Sequence, residues 1–143
     1  MLDFNTIQNK IAEAINELPL QAEPKGLYEP IEYILALGGK RIRPAIAVIA
    51  CQMFKGDYTQ VINPALGVEV FHNFTLMHDD IMDKAELRRG KLTVYRKWDA
   101  NTAILSGDTM FAQAMELICK TESKNIKKVI SETIWHEVAH HFG

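Results

Sequence analysis

One stretch of acids and histidines carries the most chemistry in this sequence: His72-Asn-Phe-Thr-Leu-Met-His-Asp79-Asp80-Ile-Met-Asp83. On a helix, Asp79 and Asp83 stand one turn apart and face the same way. Asp80 is offset by about 100° and can look into the same cleft from its edge. His72 lies two turns before Asp79 and about 20° from it in projection. Stacked carboxylates repel each other, so something has to compensate them. Mg2+ does this well, because it takes one or two carboxylates and completes its shell with substrate phosphates and water. A solvated acidic face is the alternative this stretch leaves open. The opposing stripe, Phe71, Phe74, Met77 or His78, and Ile81, suits packing in a core.

Two groups of cations flank the acids. Gly38-Gly39-Lys40-Arg41-Ile42-Arg43-Pro44 puts three of them at a glycine-rich turn that opens a helix. Free backbone N–H groups and the positive end of a helix dipole favour phosphate there. Lys40 and Arg43 are three apart and can converge on one anion, Arg43 by a two-pronged contact. Arg88-Arg89-Gly90 follows Asp83 closely. Adjacent arginines point in different directions and can serve two phosphate groups. A helix cap and a plain basic surface loop are the ordinary readings of these two segments. Taken with the acids between them, they describe a cleft for two diphosphates, one held through metal and one held directly by cations.

The elements that must position these residues are helical. Phe4, Ile7, Ile11, Ile15 and Leu18 follow three-to-four spacing, with Asp3 as cap. Pro24-Lys25-Gly26 interrupts the chain, and a second helix carries Ile31, Ile34 and Leu35 up to Gly38-Gly39. Pro44 fits the first turn of a third, which ends at Gly56-Asp57. Asn63-Pro64 reads as cap and first-turn proline of a fourth, running to about Lys84. Residues 85–97 form a basic connection with no strand pattern, and a fifth helix runs from Asp99 or Asn101 to Lys120. Gly107 inside it costs about 1 kcal/mol against alanine, which close helix approach would explain. A last helical pattern spans 124–142. The expected fold class is all-α, an antiparallel helix bundle.

Bulk properties narrow the function further. The chain has 143 residues, 48% apolar and 24% charged, enough for one domain with a real core. Its net charge of −2 predicts no global attraction to nucleic acid or acidic membranes. The apolar run Ala45–Cys51 is too short to span a bilayer. The first ten residues resemble neither a secretory leader nor a presequence, so a cytoplasmic location is expected. Cys51 and Cys119 lie in apolar helical patterns without CxxC spacing and read as reduced thiols.

The ordered motifs GGKRIRP, His72 with HDDIMD, RRG and AILSGDTMF together resemble the trans-type polyprenyl (isoprenyl) diphosphate synthases. The resemblance implies a truncated isoprenoid-synthase-type fold over residues 1–120. It implies that isopentenyl diphosphate binds at Lys40, Arg43 and His72, with Arg89 assisting and Gly39 shaping the turn. Asp79 and Asp83 would be Mg2+ ligands with Asp80 in support, and Arg88 would hold the allylic diphosphate. Magnesium-assisted loss of that diphosphate leaves an allylic cation, which the isopentenyl double bond attacks. A proton is lost and the chain grows by one isoprene unit. Phe74, five residues before Asp79, stands where bulky side chains in this family limit product length, which favours a short product.

The resemblance also sets limits. Family enzymes are longer and carry a second aspartate-rich helix far downstream, plus a lysine on an intervening helix; no second DDxxD follows Lys120 here, so little or no synthase activity is expected of these residues alone. The tail beyond Lys120 contains His136-Glu137-Val-Ala-His140-His141 and resembles the HExxH helix of small zinc metallopeptidases. His136 and His140 would be Zn2+ ligands and Glu137 the base. Three other readings stand beside the prenyltransferase. The chain can be a non-catalytic diphosphate-binding partner that forms a homodimer or joins a full-length subunit. It can be a zinc-peptidase-like fragment. The His78-Asp79 doublet also suits a metal phosphohydrolase, which needs further histidines that the sequence does not supply upstream.

Overall fold

The structure, a computed structural model, describes residues 1–20 and 22–120, together with Lys128 and Glu132. The helical pattern expected over 124–142, including His136 and His140, lies outside the described residues apart from Lys128 and Glu132.

Six helices and one small hairpin make up the described fold: α1 (Phe4–Asn16), α2 (Lys25–Ala36), α3 (Ile42–Met53), α4 (Ile62–Met82), β1 (Leu87–Arg88), β2 (Lys91–Leu92), α5 (Val94–Lys97) and α6 (Ala100–Cys119). The all-α bundle expected from periodicity is the architecture found. Asp3 caps α1 as its position predicts, its carboxylate accepting from the Thr6 N–H at 3.0 Å. Asp99 does the same for α6, accepting from Thr102 at 2.8 Å. In both cases the acid satisfies a backbone donor that the helix itself cannot.

The start of α4 differs from expectation. The cap position is Val61 rather than Asn63, and Pro64 is the third helical residue. The cause lies upstream. Asp57 accepts from Thr59 N–H and starts a single 3-10 turn, Tyr58–Gln60, which runs almost directly into the helix. The helix therefore begins before Asn63, and Pro64 occupies a first-turn site whose missing N–H has no partner to lose.

α4 is the central element. Its 21 residues span roughly 30 Å at 1.5 Å per residue. It runs antiparallel to α6: Gly67 meets Ala114 and Ile118, Phe71 meets Phe111, and His78 meets Ile104 and Gly107. The pair touches through glycine at two points. A Cβ on Gly67 would stand 2.9 Å from the Ala114 carbonyl oxygen, and one on Gly107 would collide with the His78 ring at Nε2. Close helix approach is thus the reason for Gly107. α2 closes over α6, where Ser106 Oγ donates to the Leu27 carbonyl at 2.8 Å, and α3 packs between α1 and α4. The core is aliphatic, with Ile7, Ile11, Ile31, Ile34, Val70 and Met110 buried. Burial of such side chains contributes most of the folding free energy.

The segment expected to be a plain basic connection is a hairpin. Leu87 pairs with Leu92 and Arg88 with Lys91 in antiparallel register. The turn residues Arg89 and Gly90 both have left-handed dihedrals, φ 53° and 76°, which suits the twist of a two-residue hairpin loop. Buried Thr93 ties the hairpin down. Its N–H donates to Glu86 O and its hydroxyl to Ala85 O.

Candidate functional site

The carboxylates stand at the C-terminal end of α4. Asp79 is half-buried in the last full turn, and exposed Asp83 ends the helix, its N–H donating to the Asp79 carbonyl at 2.8 Å. Asp80 differs from what its 100° offset suggested. It is only 2% exposed, and both of its oxygens accept from Arg88, Nε to Oδ2 and Nη2 to Oδ1, each at 2.8 Å. This is a fork-to-fork contact between planar groups. Asp80 therefore holds Arg88, with one acceptor site of each carboxylate oxygen used in the contact.

That contact sets the electrostatics of the arginine. The hydrogen bond to Asp80 raises the Arg88 guanidinium above its ordinary value against the pull of burial, and the charges of Asp80, Asp79 and Asp83 add to it. Arg88 is thus bound into the acidic cluster while the rest of its five N–H donors stay available for an anion.

Its neighbour belongs to the other group. Arg89 lays its guanidinium against Gly39: a Cβ there would stand 2.8 Å from Nη2 and 2.9 Å from Nη1. Gly39 has φ of 144°, in the left-handed half of the map, so both its conformation and its missing side chain serve this approach. Burial and the charges of Arg41 and Arg88 lower the Arg89 guanidinium, and Glu69 opposes them. Arg43 reaches α4 directly, its Nη1 lying 3.3 Å from His72 Nε2. Lys40 is exposed at the turn, and its carbonyl accepts from the Gln8 side chain on α1. A cavity of about 340 Å3 lies between α1 and the turn, lined in part by Gln8, Ala12, Gly39 and Arg41.

The structure thus brings Gly39, Arg43, His72, Arg88, Arg89 and the aspartate turn into one connected region. The hairpin is the link. Arg88 engages the carboxylate helix and Arg89 the glycine turn, which realises in contacts the divergence expected of adjacent arginines. Among the described residues, no three His, Cys, Asp or Glu side chains converge into a ready-made metal cage. Asp79 and Asp83 are two oxygen donors, which fits an ion that takes one or two carboxylates and draws its other ligands from phosphate and water.

His78 faces away from this region, towards the Ile104 carbonyl of α6 at 3.3 Å. Phe74 packs edge-on against Phe71 and His78 and tilted against Phe111, with centroids 4.7–5.6 Å apart. Sequence reasoning missed the buried Arg41–Glu69 pair. Its signal was an acid within the apolar stretch Ala-Leu-Gly-Val-Glu69-Val-Phe of a central helix.

The Polyprenyl synthetase family matches residues 24–140. A geranylgeranyl pyrophosphate synthase of Geoglobus acetivorans is 42% identical over 124 residues, which cover 85% of this chain and 39% of that protein. A geranylgeranyl diphosphate synthase of Methanosarcina mazei is 41% identical over 114 residues, 80% of this chain and 35% of that protein. A crystal structure of a geranylgeranyl pyrophosphate synthase superposes with a TM-score of 0.87 at 44% identity, over 94% of this chain and 42% of that one. This chain therefore spans about two-fifths of the length of these relatives, and within that span it is a member of the polyprenyl synthetase family.

Proposed function

We propose that these residues form the diphosphate-binding part of a prenyltransferase that joins isopentenyl diphosphate to an allylic diphosphate. The observation that carries this reading is the hairpin bridge, with Arg88 on Asp80 and Arg89 on Gly39. It joins an acidic turn to a cationic one, as two diphosphates sharing a pocket require.

In this reading Lys40 and Arg43 hold the isopentenyl diphosphate, with His72 beside Arg43 and Arg89 stacked on the turn. Arg88, aimed by Asp80, holds the allylic diphosphate. Asp79 and Asp83 would hold Mg2+, which when bound supplies charge stabilisation to the departing diphosphate. Asp80 positions Arg88 beside these two carboxylates. The apolar wall containing Phe74 and Phe111 suits a prenyl chain and keeps water from it. Phe74→Ala in an assembled enzyme is then expected to lengthen the product.

Binding by the purified chain tests this directly. Isopentenyl diphosphate should bind without metal and be weakened by Lys40→Ala, whereas an allylic diphosphate should need Mg2+. Little or no turnover is expected of these residues alone. Failure of both diphosphates to bind would end the reading. Exposed Ile104 and Leu105 on α6, with Ile46 and Met53 on α3 and Phe54 just past its end, favour a second role in association with another copy or a longer subunit. Sedimentation velocity across a concentration series checks that; a monomer throughout would exclude self-association.

A further inference from the structure

Under the cationic turn lies a buried polar network that none of the roles above uses. Arg41 heads α3 with φ of 47°, a conformation rarely adopted by residues other than glycine, asparagine and aspartate. Its neighbours Lys40 and Arg43 face solvent, but its own side chain turns inward. Nη1 donates to Glu69 Oε1 and Nη2 to the Leu35 carbonyl, both at 2.6 Å. Asn73, one turn further along α4, donates to the same Glu69 oxygen at 3.2 Å and to the Glu69 carbonyl at 2.9 Å. Arg41, Glu69 and Asn73 are 9%, 4% and 0% exposed.

The network thus ties three helices at one point: the end of α2 through Leu35, the head of α3 through Arg41, and the middle of α4 through Glu69. Burying an ion pair is an expensive way to gain stability, and its better-attested use is to select one arrangement among several. Here the arrangement selected is the left-handed residue between Lys40 and Arg43, two residues from the Gly39 on which Arg89 rests. Arg89 also lies within the electrostatic influence of both Arg41 and Glu69.

We propose that Glu69 is a positioning residue for the cationic side of the site: through Arg41 it fixes the turn that sets where Lys40, Arg43 and Arg89 stand. The proposal rests on the reading that these cations bind diphosphate. It makes a prediction opposite in sign to simple electrostatics. Glu69 is an anion near an anion site, so removing its charge should tighten diphosphate binding if charge alone mattered. If Glu69 instead positions the cations, removal weakens binding.

The test uses inorganic pyrophosphate, titrated by calorimetry into the full 143-residue chain without divalent metal. Wild type, Glu69→Gln, Arg41→Lys and Lys40→Ala are compared at a temperature where circular dichroism reports each as folded. Glu69→Gln keeps the side-chain shape and an acceptor for Arg41. Arg41→Lys keeps the charge but cannot bridge Glu69 and Leu35 together, and serves if the first variant does not fold. Each is expected to weaken binding on the order of tenfold, comparable to one charge-assisted hydrogen bond. Unchanged or tighter binding by folded Glu69→Gln or Arg41→Lys, with Lys40→Ala weakened, would overturn the positioning role alone. No effect of Lys40→Ala, or no binding by wild type, would overturn the diphosphate reading and this proposal with it.

Discussion

Asp79 and Asp83 stand on the regular backbone of a helix end, whereas the cations beside them stand on a chain that leaves the usual region of φ. Gly38, Gly39, Arg41, Arg89 and Gly90 all have positive φ. The acidic wall needs only helical periodicity to align its carboxylates. The cationic wall needs two turns held in a conformation that most side chains disfavour, and buried contacts hold them. Arg41 is locked by Glu69 and Leu35, and Arg89 leans on a residue without a side chain. A site that binds anions must concentrate positive charge that repels itself, and a rigid turn is one way to keep such charges convergent before ligand arrives.

The largest expected effect comes from breaking the cationic wall at its base. Glu69→Ala leaves Arg41 buried without its carboxylate and is expected to cost about 3–5 kcal/mol in urea denaturation. A loss below about 1 kcal/mol would mean that the turn holds without the pair. Next comes the platform both walls share. Gly67→Ala drives a Cβ towards the Ala114 carbonyl oxygen and Ile118 and should cost about 1–3 kcal/mol despite alanine's better helix propensity.

The acidic wall should divide within itself. Asp80→Asn removes the charge that Arg88 grips and is expected to cost about 1–2 kcal/mol. Asp83→Asn, without metal, should be neutral or raise stability by about 0.2–0.5 kcal/mol, since like charges one turn apart repel. Equal losses at the two positions would erase the distinction between a held acid and an open one.

The smallest effect is a pH dependence shared by the helix starts. The bonds from Thr6, Thr59 and Thr102 hold Asp3, Asp57 and Asp99 below their ordinary value of 3.8. A carboxylate depressed on folding contributes stability that is fully present above its unfolded value and is lost as pH falls through the folded one. The thermal midpoint should therefore fall as acidity rises past about pH 4, and Asp99→Asn should flatten that limb. An unchanged slope in that variant would remove the cap from the acid response.

The same contrast governs how much the sequence reveals. Helices, the Asp3 cap and the facing of Asp79 and Asp83 follow from local spacing, which repeats every turn. The start of α4 is not legible in its own residues, because Asp57, outside the apparent helix, nucleates the turn before it. The hairpin escaped notice because its two-residue loop is Arg-Gly where asparagine or aspartate would have signalled it. Asp80 and Arg41 share one difficulty. Which charge is buried depends on a partner eight or twenty-eight residues away, and no local pattern encodes that distance.

In the proposed reading diphosphate is held in two ways, through metal on the acids and directly on the cations. Pyrophosphate titrated by calorimetry into wild type with Mg2+ and again with EDTA separates them most directly. Two classes of site are expected with metal and one without, with Asp79→Asn plus Asp83→Asn abolishing only the metal-dependent class. A single class that ignores both the metal and the aspartates would contradict it.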